Sequence, residues 1–150
     1  MKCAMIMVAL VGIFAMAESI CTCTMPSSVL DTFETETTPI MKVVAERALD
    51  VPNSPYSWMI FKHTATFRGC TPALEHIVVK TPNGDGCGLS FEVGKTYLLT
   101  ASISSSSTPP PSVAAWGLET YTAVSCNYNA EWDMVPYETQ SFLYDAPVTC

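Results

Sequence analysis

Seven cysteines in 150 residues constrain this chain more than any other feature. Cys3 lies at the extreme N-terminus, and Cys21, Cys23, Cys70, Cys87, Cys126 and Cys150 follow. An even set of six in an oxidising compartment reads as three disulfides, with fifteen pairings open on sequence alone. A structural zinc site needs close ligand pairs with histidine near them. The single close pair is Cys21-Thr22-Cys23, and His63 and His76 stand far from it. The cysteines therefore predict a stapled, secreted domain.

The N-terminus agrees with that compartment. Lys2 precedes Ala4 to Ala17, an almost unbroken apolar run of fourteen residues. That run is too short to cross a bilayer but fits the apolar region of a signal peptide. Residues 1–20 are read as the signal, with cleavage at 17–20, and 21–150 as one domain. The small-residue rule favours a cut after Ala17 or after Ser19; a cut before Cys21 puts Ile20 at −1 and Glu18 at −3. No later stretch is long and apolar enough to span a membrane, so the expected location is extracellular.

The formal charge is −7, and loss of Lys2 with Glu18 leaves it there. An acidic surface repels phosphate, which makes nucleic acid and anionic lipid poor partners. Apolar residues make up 49% and charged residues 14%, so a packed core is expected rather than disorder.

Period-two patterning runs through the domain. In 40–51, Met41, Val43, Ala45, Leu49 and Val51 share one face, with Arg47 as an exception on it, and Pro52 ends the strand. In 56–68, Met59, Phe61, Ala65 and Phe67 share a face, and Asn53–Pro55 makes the preceding turn. Ile77-Val78-Val79 marks a third strand over 76–81, followed by a turn at Pro82-Asn83-Gly84-Asp85-Gly86. Residues 96–103 and 119–126 supply two more. Ser104–Ser112 is a low-complexity Ser/Pro segment and reads as an extended, mobile connector. Short helices are expected near Val29, Leu30 and Phe33, and over Glu138–Tyr144. The prediction is all-β: five antiparallel strands in an OB-type Greek-key barrel, with one or two short flanking helices.

Catalytic patterns are absent from the sequence. It contains no H-E-x-x-H, no G-x-S-x-G and no P-loop. His63 falls on the apolar side of its strand and reads as a packed, hydrogen-bonded histidine. His76 beside Glu75 reads as a solvated one. The serine cluster has no neighbouring base. The chain is therefore expected not to be an enzyme and to need no cofactor. Trp132, six residues after Cys126, reads as a core anchor for the C-terminal segment.

Three pieces together resemble the tissue inhibitors of metalloproteinases and the netrin-like modules that share their OB-fold. Cys21-Thr22-Cys23 followed by Pro26 is similar to the inhibitors' mature C-x-C start. Cys87-Gly88-Leu89 with Gly94-Lys95-Thr96-Tyr97-Leu98-Leu99 is similar to their C-G…G-x-x-Y-L-L strand. Cys126…Trp132 is similar to their C-x5-W. The order and spacing cover about 21–150. The resemblance implies the N-terminal inhibitory module alone.

It also implies roles. Cys21, as the first residue, chelates a target protease's zinc through its α-amino nitrogen and carbonyl oxygen. Thr22 points into the pocket beside the metal, and Cys23, Thr24, Asp85, Gly86 and Cys87 complete the protease-binding edge. The implied pairs are Cys21–Cys87 and Cys23–Cys126. Where the family has a cysteine about ten residues after C-x-C, this chain has Phe33-Glu34, and Cys70 is additional; Cys70–Cys150 is then the remaining pair. The implied partner is an extracellular zinc metalloprotease, met by a monomer. The alternative is a netrin-like module that binds a protein or glycan without touching zinc.

Overall fold

A computed structural model of the chain describes residues 28–30, 33, 38–83, 87–104 and 109–150. Seven strands form one sheet: β1 (Ile40–Leu49), β2 (Tyr56–Arg68), β3 (His76–Pro82), β4 (Thr96–Thr100), β5 (Ser102–Ile103), β6 (Thr120–Thr122) and β7 (Ala130–Glu131). Helix α1 is a single turn, Pro111–Ala114; a 3-10 turn covers Trp132–Met134, and α2 covers Tyr137–Asp145. Val29, Leu30 and Phe33 are helical, as their pattern predicts. Among the described residues no helix is long and apolar enough to cross a membrane.

The strand order is β5-β6-β3-β2-β1-β4-β7. The expected strand over 96–103 is thus two strands, broken at Ala101. Its halves stand far apart in that order: β4 beside β1, β5 beside β6. Laid flat, the five steps from β5 to β4 would span roughly 24 Å. One residue reaches at most about 3.6 Å. The sheet must therefore curl until its ends approach, with the fully buried Ala101 at the crossing. The Ala101 N–H leaves the ladder and donates to the Pro39 carbonyl at 3.2 Å.

Twist for that curl comes from bulges, which bend a strand and add right-handed twist. The β1–β2 register slips at Ile40/Met41, Lys42/Val43 and Ala45/Arg47. The third slip explains Arg47. Ala45 faces Phe61 and Arg47 faces Ile60, so Glu46 is an extra residue. The alternation reverses there, and Arg47 leaves the face of Met41, Val43 and Ala45. The slips also divide the predicted apolar face of β2: Phe61 packs inside the curl, whereas Ala65 and Phe67 pack outside it.

Not every strand pair is antiparallel. β3 and β6 run parallel, Val78 opposite Thr120 and Lys80 opposite Thr122. No hairpin joins them; the chain returns through β4, β5 and α1, a crossover long enough for parallel pairing. The strand expected over 40–51 stops at Leu49, because the turn begins before Pro52, with Ser54 N–H donating to the Val51 carbonyl. That expected over 119–126 shortens to Thr120–Thr122. Beyond it, Asn129 takes over the backbone: its Oδ1 accepts from Thr100 N–H at 2.8 Å and its Nδ2 donates to the carbonyls of Val124 and Asn127. The Ser104–Ser112 reading also changes at its end. Pro111 and Ser112 start α1, with proline at a first-turn position where its missing N–H costs nothing, and Val113 is buried. Residues 105–108 lie outside the described residues.

Among the described residues, three clusters form the core. Met41, Val43, Phe61, Ile77, Val79, Leu99 and Tyr121 fill the inside of the curl. Trp58, Ile60 and Val78 pack under Val113 of α1. Ile40, Phe67, Leu98 and Trp132 meet Leu143 of α2. Ile77-Val78-Val79 is continuously apolar because both faces of β3 are covered. Trp132 stacks on Phe67 with ring centroids at 5.8 Å, and Tyr144 meets it edge-on at 5.9 Å. Lys42 Nζ lies 4.3 Å above the indole. Cys70 bonds Cys150, the pair left over once the resemblance's two are assigned, and Gly69 N–H donates to the Thr149 carbonyl beside it. Trp132→Ala should empty the contact between sheet and α2 and lower the unfolding free energy by about 3–5 kcal/mol, read by urea denaturation.

Candidate functional site

Of the residues that the resemblance assigns to a protease-binding edge, Cys21, Thr22, Cys23, Thr24, Asp85 and Gly86 lie outside the described residues. Cys87 is described, and the local sequence shows how it is held. β3 ends at Pro82, and Asn83 then locks the chain to the β1–β2 turn. Its N–H donates to the Pro55 carbonyl at 2.8 Å, its Nδ2 to the Ser54 carbonyl at 3.2 Å, and its Oδ1 accepts from the Ser57 hydroxyl. On the far side of the turn, Gly88 presses against β3. A Cβ at this position would lie 2.1 Å from the Pro82 carbonyl oxygen, so only glycine fits. Leu89 N–H donates to Thr81 Oγ1 at 2.8 Å.

Cys87 itself accepts a hydrogen bond on its carbonyl from Ser125 N–H at 2.9 Å. Ser125 precedes Cys126. Cys87 and Cys126 are both disulfide-bonded. Two stapling points thus stand side by side, where the segment after β3 meets the segment after β6. The pairs Cys21–Cys87 and Cys23–Cys126 involve residues outside those described.

Beside this edge runs a groove of about 410 Å³. The β1–β2 turn forms one wall with Leu49, Val51 and Tyr56; Leu89 and Phe91 form the other, and Asn83 lies between. Lys80 flanks the same aromatic residues, with Nζ 4.8 Å from the Tyr56 ring and 5.9 Å from that of Trp58. Burial holds its ammonium below the ordinary lysine range.

The histidines lie elsewhere. His63 Nε2 is 2.8 Å from Thr66 Oγ1, and burial lowers the imidazole's pKa, the packed and bonded state its position predicts. His76 stands next to Glu75 in sequence but pairs with Glu46 across the sheet, Nε2 to Oε2 at 3.1 Å. Glu75 instead meets Lys62 at 2.9 Å; their hydrogen bond raises the lysine's pKa and lowers the carboxyl's. The Tyr121 hydroxyl donates to Glu119 at 2.8 Å, and burial first, then this bond, raises its pKa. Among the described residues no group of three or more His, Cys, Asp or Glu is placed to hold a metal ion.

Sequence reasoning found Cys87 and Cys126 but not the groove walls, since Leu49, Tyr56 and Phe91 read as ordinary strand and loop residues. It also passed over Trp116, whose exposed ring carries the Arg47 guanidinium at 4.5 Å. No protein-family model matches the chain, and no curated protein matches it. Gly88→Ala should force the 87–89 segment off β3, at a cost of about 3 kcal/mol, the upper end for overpacking. Faster amide exchange at Ser125 and Leu89, measured with the melting temperature, reads the change.

Proposed function

We propose that this chain is a secreted inhibitor of zinc metalloproteases, related to the tissue inhibitors and built on an OB-type Greek-key barrel. Taking β4 and β5 as one strand kinked at Ala101 leaves five principal strands. Their neighbours then run β1-β2-β3-β6-β4/5 and back to β1, a closed order with one parallel pair. β7 is a short addition to β4.

The observation that carries the functional reading is the juxtaposition of Cys87 and Cys126, through the Ser125–Cys87 hydrogen bond. The resemblance pairs these two with Cys21 and Cys23. An arm of three residues stapled at both its cysteines has almost no freedom left to lose on docking, which favours tight association. The resemblance adds Asp85 and Gly86, which precede Cys87 in sequence, as further contacts. A free α-amino group has a reference pKa near 8, so a useful fraction is neutral at about pH 7 and can donate its lone pair to the target's zinc. The metal belongs to the protease; the inhibitor needs none.

One sequence feature supports a second reading, a netrin-like module that binds a protein or glycan. Cleavage after Ala17 or Ser19 leaves residues in front of Cys21. The Cys21 nitrogen is then an amide, its lone pair is delocalised into the neighbouring carbonyl, and the extra residue crowds the metal.

Two measurements test the proposal. Peptide mapping under non-reducing conditions should recover Cys21 with Cys87 and Cys23 with Cys126; any other partner for Cys21 sinks the stapled arm. A form beginning at Cys21 should inhibit at least one enzyme in a panel of zinc proteases. A form retaining Ile20 should be at least about 100-fold weaker, or roughly 2.8 kcal/mol at 1.4 kcal/mol per tenfold. Equal potency rules out chelation, and inactivity of both forms supports the binding module.

A further inference from the structure

A second groove lies away from the cysteine edge, over the outer face of β1 to β3. It encloses about 370 Å³, within the range of small-molecule sites, and is lined by Glu46, Arg47, Ile60, His76, Trp116 and Leu118. We infer that this groove binds a small organic acid with a flat apolar body, its carboxylate held by Arg47 and its body resting on Ile60, Leu118 and the Trp116 edge.

The argument begins with the bulge. A regular strand sends consecutive residues to opposite faces, and the Met41-Val43-Ala45 series would send Arg47 into the core. The extra residue at Glu46 sets Arg47 opposite Ile60 instead, and both Glu46 and Arg47 line the groove. Bulges recur where a strand must re-aim a side chain for binding. The second point is Trp116. It is 48% exposed, whereas Trp58 and Trp132 are buried. Its place is fixed by α1 on one side and by Gly117, in the left-handed region at φ 62°, on the other.

The third point is charge. The chain carries 14 acidic against 7 basic residues. Even so, Arg47 forms no ion pair among the described residues; its guanidinium carbon lies over the Trp116 ring at 4.5 Å. That contact holds the cation at the groove's aromatic wall, and the planar fork of its N–H groups suits a carboxylate gripped by two parallel hydrogen bonds. The carboxylate already in the groove, Glu46, is engaged by His76 at 3.1 Å, which lessens its repulsion of an incoming acid. Repulsion from the rest of the acidic surface is screened beyond about 8 Å at physiological salt. An apolar floor, an aromatic wall and one planar cation match an aromatic or branched carboxylate better than a neutral sugar or an amine.

Benzoate, benzamide and benzylammonium make suitable probes, titrated into the disulfide-intact protein at physiological salt. The readout is the Trp116 indole N–H and the Arg47 side-chain N–H resonances. Benzoate should saturate with a Kd of about 1 mM, reasonable for a ligand of its size, and benzamide should bind at least about tenfold more weakly. Arg47→Gln should weaken benzoate by at least about tenfold, and Glu46→Gln should tighten it. Arg47 is exposed, so the variant should keep the remaining amide spectrum; the three-ligand comparison on the unmodified protein needs no variant. The inference is overturned if benzoate does not saturate, if Arg47→Gln binds it equally well, or if benzylammonium binds best.

Discussion

Between Thr100 and Ser102 the chain leaves the strand next to one end of the sheet and joins the other end, with Ala101 as the sole residue of the crossing. Most of the architecture depends on that short step. A one-residue link cannot span a flat sheet of this many strands, so the sheet curls, and curling creates an inner face that only apolar side chains can fill. Ala101 is fully buried there. A larger side chain would have to displace close-packed neighbours. The crossing has a cost: Thr100 Oγ1 is buried with no hydrogen-bond partner among the described residues. The backbone on either side is satisfied, Thr100 N–H by Asn129 and Ala101 N–H by Pro39.

Curling also leaves an outer face, and among the described residues two segments cover it. α1 drops Val113 onto Trp58, Ile60 and Val78, and α2 with Trp132 covers Ile40, Phe67 and Leu98. The second cover is fastened at its far end. Cys70 follows β2, Cys150 follows α2, and their bond spans a sequence separation of 80 residues. Chain-entropy estimates give such a loop about 4.5 kcal/mol of stabilisation. Arg68 adds a fastening from inside the same region: Nη1 donates to the Phe33 carbonyl at 2.7 Å, and Nε and Nη2 both donate to that of Thr38. A buried guanidinium holding backbone carbonyls is a strong, charge-assisted tie. It anchors the residues just before β1.

The parts that were legible in sequence are those set by local physics. Alternation placed β1 and β2 almost to the residue, because a half-buried strand must alternate, and the unbroken run Ile77-Val78-Val79 placed β3, whose faces are both covered. Trp132 was legible as an anchor because burying one large aromatic ring is worth several ordinary contacts. What escaped depended on distant contacts. Nothing near Ala101 announces a break, since the break exists only because β1 and β6 claim the two halves. Ala130–Glu131 has no strand signal of its own and pairs because Asn129 delivers it to β4. Arg47 showed in sequence as a misfit, but the bulge that resolves it is a property of the pair with β2. At the candidate edge, Cys87 and Cys126 were visible as cysteines; that Ser125 brings them together was not, because the bond joins segments almost forty residues apart.

The Arg47–Trp116 groove and the cysteine edge lie toward opposite ends of β3, and this separation bears on how they would work together. His76, at the start of the strand, borders the Arg47–Trp116 groove, while Pro82, at its end, leads to the cysteine edge. Six steps along a strand cover roughly 20 Å. The residues between, from Ile77 to Thr81, are all buried and paired to β2, and Val78 to Lys80 are paired to β6 as well. Coupling over such a distance needs an element with two discrete arrangements, and a close-packed central strand offers no obvious second one. A small acid held by Arg47 would therefore leave the cysteine edge in place. The structure favours two independent surfaces on one rigid support, one set by a bulge in β1 and the other by disulfides at the end of β3.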